Sequence, residues 1–217
     1  MDFEAARLNM VESQIRPNEV TNPLIIEAMS ELPREAFVPE RLAGVAYVDE
    51  ALAVGSGRYL MEPMVLARLL QAAEIQAEDL ALVIGCGSGY SAAVLARLAG
   101  TVVAIEATAE LVNQASETLS SLEIDNAAVI EAPLTDGYPK QAPYDAILFG
   151  GAVSEVPRPL TDQLADGGRL VAVVAKSTGL GRGVLVTRHG ASVVEREIFD
   201  AGTPLLPGFE PVPTFQF

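Results

Sequence analysis

The chain has 217 residues, half of them hydrophobic, and sets 29 Asp and Glu against 14 Lys and Arg for a formal net charge of −15. That length and apolar content can bury a sizeable core in one domain. The scattered basic residues argue against a nucleic-acid partner, because phosphate binding needs a positive patch. A single cysteine excludes an internal disulfide framework. The start Met1-Asp2-Phe3-Glu4 lacks a charged-then-apolar leader pattern, and no apolar run reaches the roughly 18 residues of a membrane span. The expectation is a cytoplasmic chain without membrane contact.

Residues 1 to about 75 read as mainly helical. Asn22-Pro23 sets a capping side chain before a proline at the first helical position, and Leu24, Ile25, Ala28 and Leu32 recur on one helical face. Pro63 opens another helix in the same way. From Leu80 the pattern alternates. Strands are predicted near 80–84, 101–105, 127–131, 144–149 and 169–175, and helices near 90–98, 108–122 and 157–165. This is the signature of an α/β fold with a doubly wound, mostly parallel Rossmann-like sheet. After Arg182, Val184-Leu185-Val186-Thr187, a His189-Gly190 turn and Val193-Val194 predict an antiparallel hairpin at the sheet edge. The tail Gly202–Phe217 holds four prolines and three phenylalanines. It reads as an ordered extended wrap, since its aromatics are costly to leave in water.

The stretch from Leu80 to Glu106 carries the chemistry. The apolar run Ala81–Ile84 suits a buried parallel strand, and Gly85, Gly87 and Gly89 let the backbone turn closely against a ligand. Cys86 and Ser88 are the small residues between them. Val102–Ile105 then forms a second strand ending in Glu106, where a carboxylate can accept hydrogen bonds from both ribose hydroxyls of a nucleoside. The spacing is Gly-x-Gly-x-Gly and not the Gly-x-Gly-x-x-Gly of dinucleotide binders, whose helix N-terminus holds a pyrophosphate. It is the form carried by S-adenosylmethionine methyltransferases, whose cofactor has no phosphate.

The whole chain resembles one family, the protein-L-isoaspartate O-methyltransferases. The resemblance is carried by Asn9-Met10-Val11, Leu32-Pro33-Arg34-Glu35-Ala36-Phe37-Val38-Pro39, Ala46-Tyr47-Val48-Asp49 and Gly55-Ser56-Gly57. It continues through Ile84-Gly85-Cys86-Gly87-Ser88-Gly89-Tyr90, Ala142-Pro143-Tyr144-Asp145-Ala146-Ile147, Val156-Pro157 and Gly167-Gly168-Arg169-Leu170-Val171. Several motifs in one order are far more specific than any one alone. The resemblance implies a monomeric cytoplasmic enzyme. It would transfer methyl from S-adenosylmethionine to the free α-carboxylate of isoaspartyl residues in damaged proteins or peptides, with Gly85, Cys86, Gly87, Ser88, Gly89 and Glu106 at the cofactor and Leu134 near its adenine.

Three departures mark the site. The family's hydroxyl residue after the Gly-x-Gly turn is Met61 here, and a thioether cannot donate a hydrogen bond. An acidic residue before the glycine loop is replaced by Val83, and a Gly-Asp-Gly after the third strand by Ala132-Pro133-Leu134. Arg58 and Tyr59 have no family counterpart; they read either as solvent-facing loop or as a new anion clamp beside Met61, Arg58 pairing bidentately with an anionic substrate. Asp49 can hold a loop or contact substrate, and His189 reads as a surface turn residue. Two further functional classes stay open. One is a methyltransferase of the same fold with another substrate, the other a catalytically silent relative.

Overall fold

A computed structural model describes residues 2–175 and 180–211. Helices α1 (Phe3–Met10) and α2 (Pro23–Glu31) begin the chain. Asp2 caps the first through the Ala5 amide, and Asn22 caps the second through the Leu24 amide, with Pro23 at the first position. A π turn at Val11–Ile15 and several 3-10 turns fill the segment to residue 45.

Residues 52–60, expected within a mainly helical segment, instead form an antiparallel hairpin of β1 (Leu52–Gly55) and β2 (Arg58–Leu60). Turn chemistry decides this. Ser56 and Gly57 take φ of 49° and 70°, the left-handed pair of a tight hairpin turn. The hairpin forms its own two-stranded sheet, with no ladder to the main one. Helix α3 (Pro63–Ala73) follows, its first turn capped from a distance by Asp49, whose Oδ1 accepts the Met64 amide at 3.1 Å.

The main sheet contains β3 (Leu80–Ile84), β4 (Thr101–Glu106), β5 (Ala127–Glu131), β6 (Tyr144–Val153), β7 (Leu164–Val174), β8 (Gly181–His189) and β9 (Ser192–Ala201). The strand order is β5-β4-β3-β6-β7-β8-β9, parallel from β5 to β7 and antiparallel through the β8–β9 edge hairpin. Helices α4 (Tyr90–Ala96), α5 (Ala109–Ser121) and α6 (Arg158–Thr161) connect the strands. The helix expected over 157–165 shrinks to the single turn of α6, because β7 already begins at Leu164.

Side chains alternate across the sheet. Ala81, Val83, Val102 and Ala104 face a core built with the helices, while Leu82, Ile84, Val103 and Ile105 face a second core. That second face is covered largely without long helices: Leu134, Leu160, Leu206 and Phe209 close it. The tail therefore does wrap, as far as residue 211. Beyond Ala201, Pro204 and Leu206 bond to the backbone of Ala152, Ser154 bonds to Phe209, and the Phe209 ring meets Phe149 edge-on at 5.4 Å. Residues 212–217 of the expected wrap lie outside the described residues. No helix among the described residues is long and apolar enough to cross a membrane.

Candidate active site

The chain turns from β3 to one neighbour, β4, and later returns to the other, β6, so the C-terminal end of β3 is the topological switch point of the sheet. The glycine loop lies there. Gly85, Gly87 and Gly89 all take positive φ, and the Gly85 amide bonds to Ile105 O at 3.0 Å, tying the loop to β4. The loop rests against β6 so tightly that a Cβ on Gly150 would lie 2.1 Å from Gly85 O. Only a glycine permits that approach.

Glu106 ends β4 and is fully buried. Its Oε1 accepts the Gly87 amide at 2.7 Å, and its Oε2 accepts the Ala107 amide at 3.0 Å. The loop thus folds onto the acid predicted to hold a ribose. The remaining acceptor positions are taken by this chain itself: Arg58 Nε donates to both carboxylate oxygens, at 3.0 and 3.1 Å. Arg58 is 3 % exposed, so it neither faces solvent nor points to an incoming carboxylate. Its Nη1 has no partner among the described residues. Tyr59, next to it, is exposed.

Leu134 is buried beside Gly85, and a second side chain, Leu206, fills the same place. A Cβ built on Gly85 would meet Leu206 at 2.8 Å and Leu134 at 3.5 Å. Pro207, on the same tail strap of residues 202–211, approaches the hairpin tip, its Cγ 3.5 Å from where a Gly57 Cβ would sit. Thr203 Oγ1 donates to Glu62 Oε2 at 2.7 Å, joining the strap to the start of α3.

Met61 is buried, and with Cys86, Ser88, Tyr90 and Gly150 it lines a cavity of about 10 Å³, the room of one water molecule. Its backbone is held by Arg34, which the sequence reading placed in a motif without a role. Arg34 is fully buried; its Nη2 donates to Met61 O at 2.7 Å, its Nε to Ala46 O at 2.6 Å, and its guanidinium lies 4.8 Å from the centre of the Tyr90 ring. Burial lowers the Arg34 pKa and the nearby Tyr90 opposes the shift. Burial also pushes the Cys86 thiol well above its ordinary range, with the Glu106 carboxylate adding to it, so Cys86 is an unreactive thiol under the loop. Ser88 Oγ and the Tyr90 hydroxyl have no partner among the described residues. His189 is exposed at the end of β8, far along the edge hairpin. No group of three His, Cys, Asp or Glu side chains that could hold a metal occurs among the described residues.

As folded, Glu106 has no free acceptor position for the ribose of S-adenosylmethionine. A carboxylate offers about four acceptor positions. Two amides and the doubly shared Arg58 Nε–H use them, which leaves none for ribose hydroxyls. Leu206 packs against Gly85, and the cavity beside the loop has room for a water only.

The sheet order, the glycine loop at the switch point and the acid ending the adjacent strand together define the methyltransferase variety of the Rossmann-like fold. The family model described as protein-L-isoaspartate(D-aspartate) O-methyltransferase matches residues 6–198. A protein-L-isoaspartate O-methyltransferase 1 of Rhodopseudomonas palustris is 40 % identical over 195 residues, covering 90 % of this chain and 80 % of that protein. A protein-L-isoaspartate O-methyltransferase of Methanoculleus marisnigri is 41 % identical over 184 residues, covering 85 % of this chain and 84 % of that one. The chain belongs to this family, whose members are S-adenosylmethionine-dependent carboxyl methyltransferases. The fold likeness extends to solved structures. A protein-L-isoaspartate O-methyltransferase superposes with a TM-score of 0.81 at 23 % identity, covering 94 % of this chain and 67 % of that one. A Plasmodium falciparum relative in complex with S-adenosyl-L-homocysteine gives 0.76 at 20 % identity, over 94 % and 97 %.

Proposed function

We propose that the chain transfers methyl from S-adenosylmethionine to the α-carboxylate of isoaspartyl residues in proteins or peptides, as a cytoplasmic monomer, from a state in which Arg58 has left Glu106. The observation that carries this reading is the Gly87–Glu106 contact at the switch point, with family membership over nearly the whole chain. The acceptor needs no strong base, because its carboxylate is already ionised at neutral pH. Placement is what the protein must supply. On this chain the placing side is altered: Arg34 fixes the backbone of Met61, and the Met61 side chain offers no donor to a carboxylate. Leu134 and Pro133, in place of an acid, present an apolar surface toward the base position and supply no side-chain acceptor for an amine.

Transfer of labelled methyl to an isoaspartyl peptide, with a cell extract as an open pool of other substrates, tests the reading. Slow transfer to the isoaspartyl peptide is expected. Transfer confined to other components of the extract points to another substrate. No transfer by the wild type or by Met61→Ser, while cofactor still binds, rejects the isoaspartyl methyl-transfer reading in favour of a silent relative. That alternative rests on the same two residues, Met61 and Arg58.

A further inference from the structure

We infer that Arg58 is an internal latch on the cofactor site, standing where the ribose of a nucleoside would stand, so that cofactor enters only when the β1–β2 hairpin carries the guanidinium off Glu106. The inference rests on the methyl-transfer reading for the identity of the ligand, and on three observations of this chain for the latch.

The first is substitution of partners. Two ribose hydroxyls and one guanidinium Nε–H offer the same thing to Glu106, hydrogen-bond donors to its two oxygens, and Arg58 already provides it at 3.0 and 3.1 Å. Ligand and latch are therefore mutually exclusive at that carboxylate. The second is the way Arg58 is held. Only Nε engages Glu106, while Nη1 is buried without a partner among the described residues, so the guanidinium does not use its fork. A buried cation held through one of its five donors is easier to exchange than a saturated one, because leaving restores hydration to the unpartnered groups. The third is the carrier. Arg58 sits in a two-stranded hairpin with no ladder to the main sheet, closed by the Ser56-Gly57 turn. The hairpin can swing without breaking a strand pairing, though Leu52, Val54 and Leu60 must then shift against the helix-side core. The strap, by contrast, is fixed by backbone bonds to Ala152 and Ser154 and by Phe209 in the second core, so it forms the fixed wall against which the hairpin closes.

Population arithmetic sets the expected size. When the competent state is a small fraction of the molecules, the apparent affinity falls by that fraction. Arg58→Gln should therefore bind S-adenosylhomocysteine at least about tenfold more tightly than the wild type in calorimetry. It should also expose Cys86 to a thiol reagent faster, and saturating ligand should slow that labelling again. Should Arg58→Gln fail to fold by its thermal transition, Arg58→Lys stands in, expected to give a gain of roughly threefold, since an ammonium at that site lacks the planar geometry of the guanidinium. Equal or weaker binding in the folded variant, or no binding by it at all, overturns the latch. Methyl transfer is scored separately. Tighter binding without transfer leaves the latch standing and rejects the methyl-transfer reading. Transfer by a wild type that binds cofactor as tightly as the variant rejects the latch and leaves that reading intact.

Discussion

Strand β3 ends in an arginine–carboxylate pair at each extremity, and the two pairs are built differently. At its N-terminal end Arg169 donates to Ala73 O, Asp145 O, Glu74 O and Asp79 Oδ2, at 2.6 to 2.9 Å, so every nitrogen of the guanidinium is used. Asp79 and Asp145 in turn accept the amides of Gln76 and Leu80. At the C-terminal end Arg58 is more deeply buried, yet it reaches its partner through Nε alone. The saturated pair closes the sheet where nothing has to enter. The half-used pair lies where the fold places its ligand, and its incompleteness is what allows exchange.

Breaking each pair in turn measures that difference. Arg169→Ala removes four hydrogen bonds, one of them to a carboxylate, and should cost about 4 kcal/mol in urea unfolding. Arg58→Gln should cost about half of that, roughly 2 kcal/mol, because Glu106 keeps the amides of Gly87 and Ala107 and water can follow into the loop. Equal losses at the two ends would mean that Arg58 is as structural as Arg169.

The second prediction concerns the residue that Arg34 holds beneath the latch. On the proposed reading Met61→Ser supplies a hydroxyl donor to the acceptor carboxylate, and one positioned donor is worth on the order of a hundredfold in rate. Met61 is buried, so the same change should lower stability by about 2 kcal/mol through the space it leaves. A rise in methyl transfer to an isoaspartyl peptide alongside a lower unfolding midpoint is the expected pair of results. A lower midpoint with no rise in rate would make Met61 a packing residue only.

The floor and the roof of this site differ in how far each was readable from the sequence. The floor is contiguous: an apolar strand, three glycines, a helix and a second strand ending in Glu106 follow one another, and each step is a local preference of the backbone. The structure places β3 over the expected residues 80–84 and ends β4 on Glu106. The roof is not local. Arg58 meets an acid 48 residues further along the chain, and Leu206 meets Gly85 from the far end of the chain. Nothing in one sequence pairs such residues. The hairpin that carries Arg58 has strands of four and three residues, too short for an alternating pattern to stand out. Its turn was visible as Gly55-Ser56-Gly57, and the oddity of Arg58 was visible too, but the direction in which the side chain points is a tertiary fact. Arg34 escaped for the same reason, since its acceptors are backbone carbonyls that carry no sequence signal.

The third prediction sharpens the contrast on the ligand side. Pro133 opens the 3-10 turn Leu134–Asp136, and on the proposed reading it lies near the adenine amine without offering a side-chain acceptor. Pro133→Asp, made in the Arg58→Gln background so that the latch does not mask it, should tighten S-adenosylhomocysteine binding about fivefold, the value of one net hydrogen bond near 1 kcal/mol. Unchanged affinity would move the base away from Leu134 and detach the strap residue Leu206 from the cofactor pocket.

The smallest effect is expected at a third arginine–carboxylate pair, which is only partly buried and serves as a reference for the other two. Arg7 and Glu35 lie 3.6 Å apart with Tyr47 between them, its hydroxyl accepting from Arg7 Nε at 3.1 Å and donating to Glu35. Burial and the bond to Glu35 push the Tyr47 pKa up to about 12. The folded pKa is thus raised above the usual phenol value near 10. Stability from this group is then fully present below about pH 10 and is lost as pH rises toward 12, because the unfolded chain gives up the proton first. The slope should be shallow, since solvent reaches this cluster. Tyr47→Phe should remove that slope from an alkaline unfolding series while leaving the neutral-pH ranking of Arg169→Ala below Arg58→Gln in place. If the slope survives in Tyr47→Phe, another phenol carries it. Tyr90, buried against Arg34 and likewise raised by burial, is then the group to replace next.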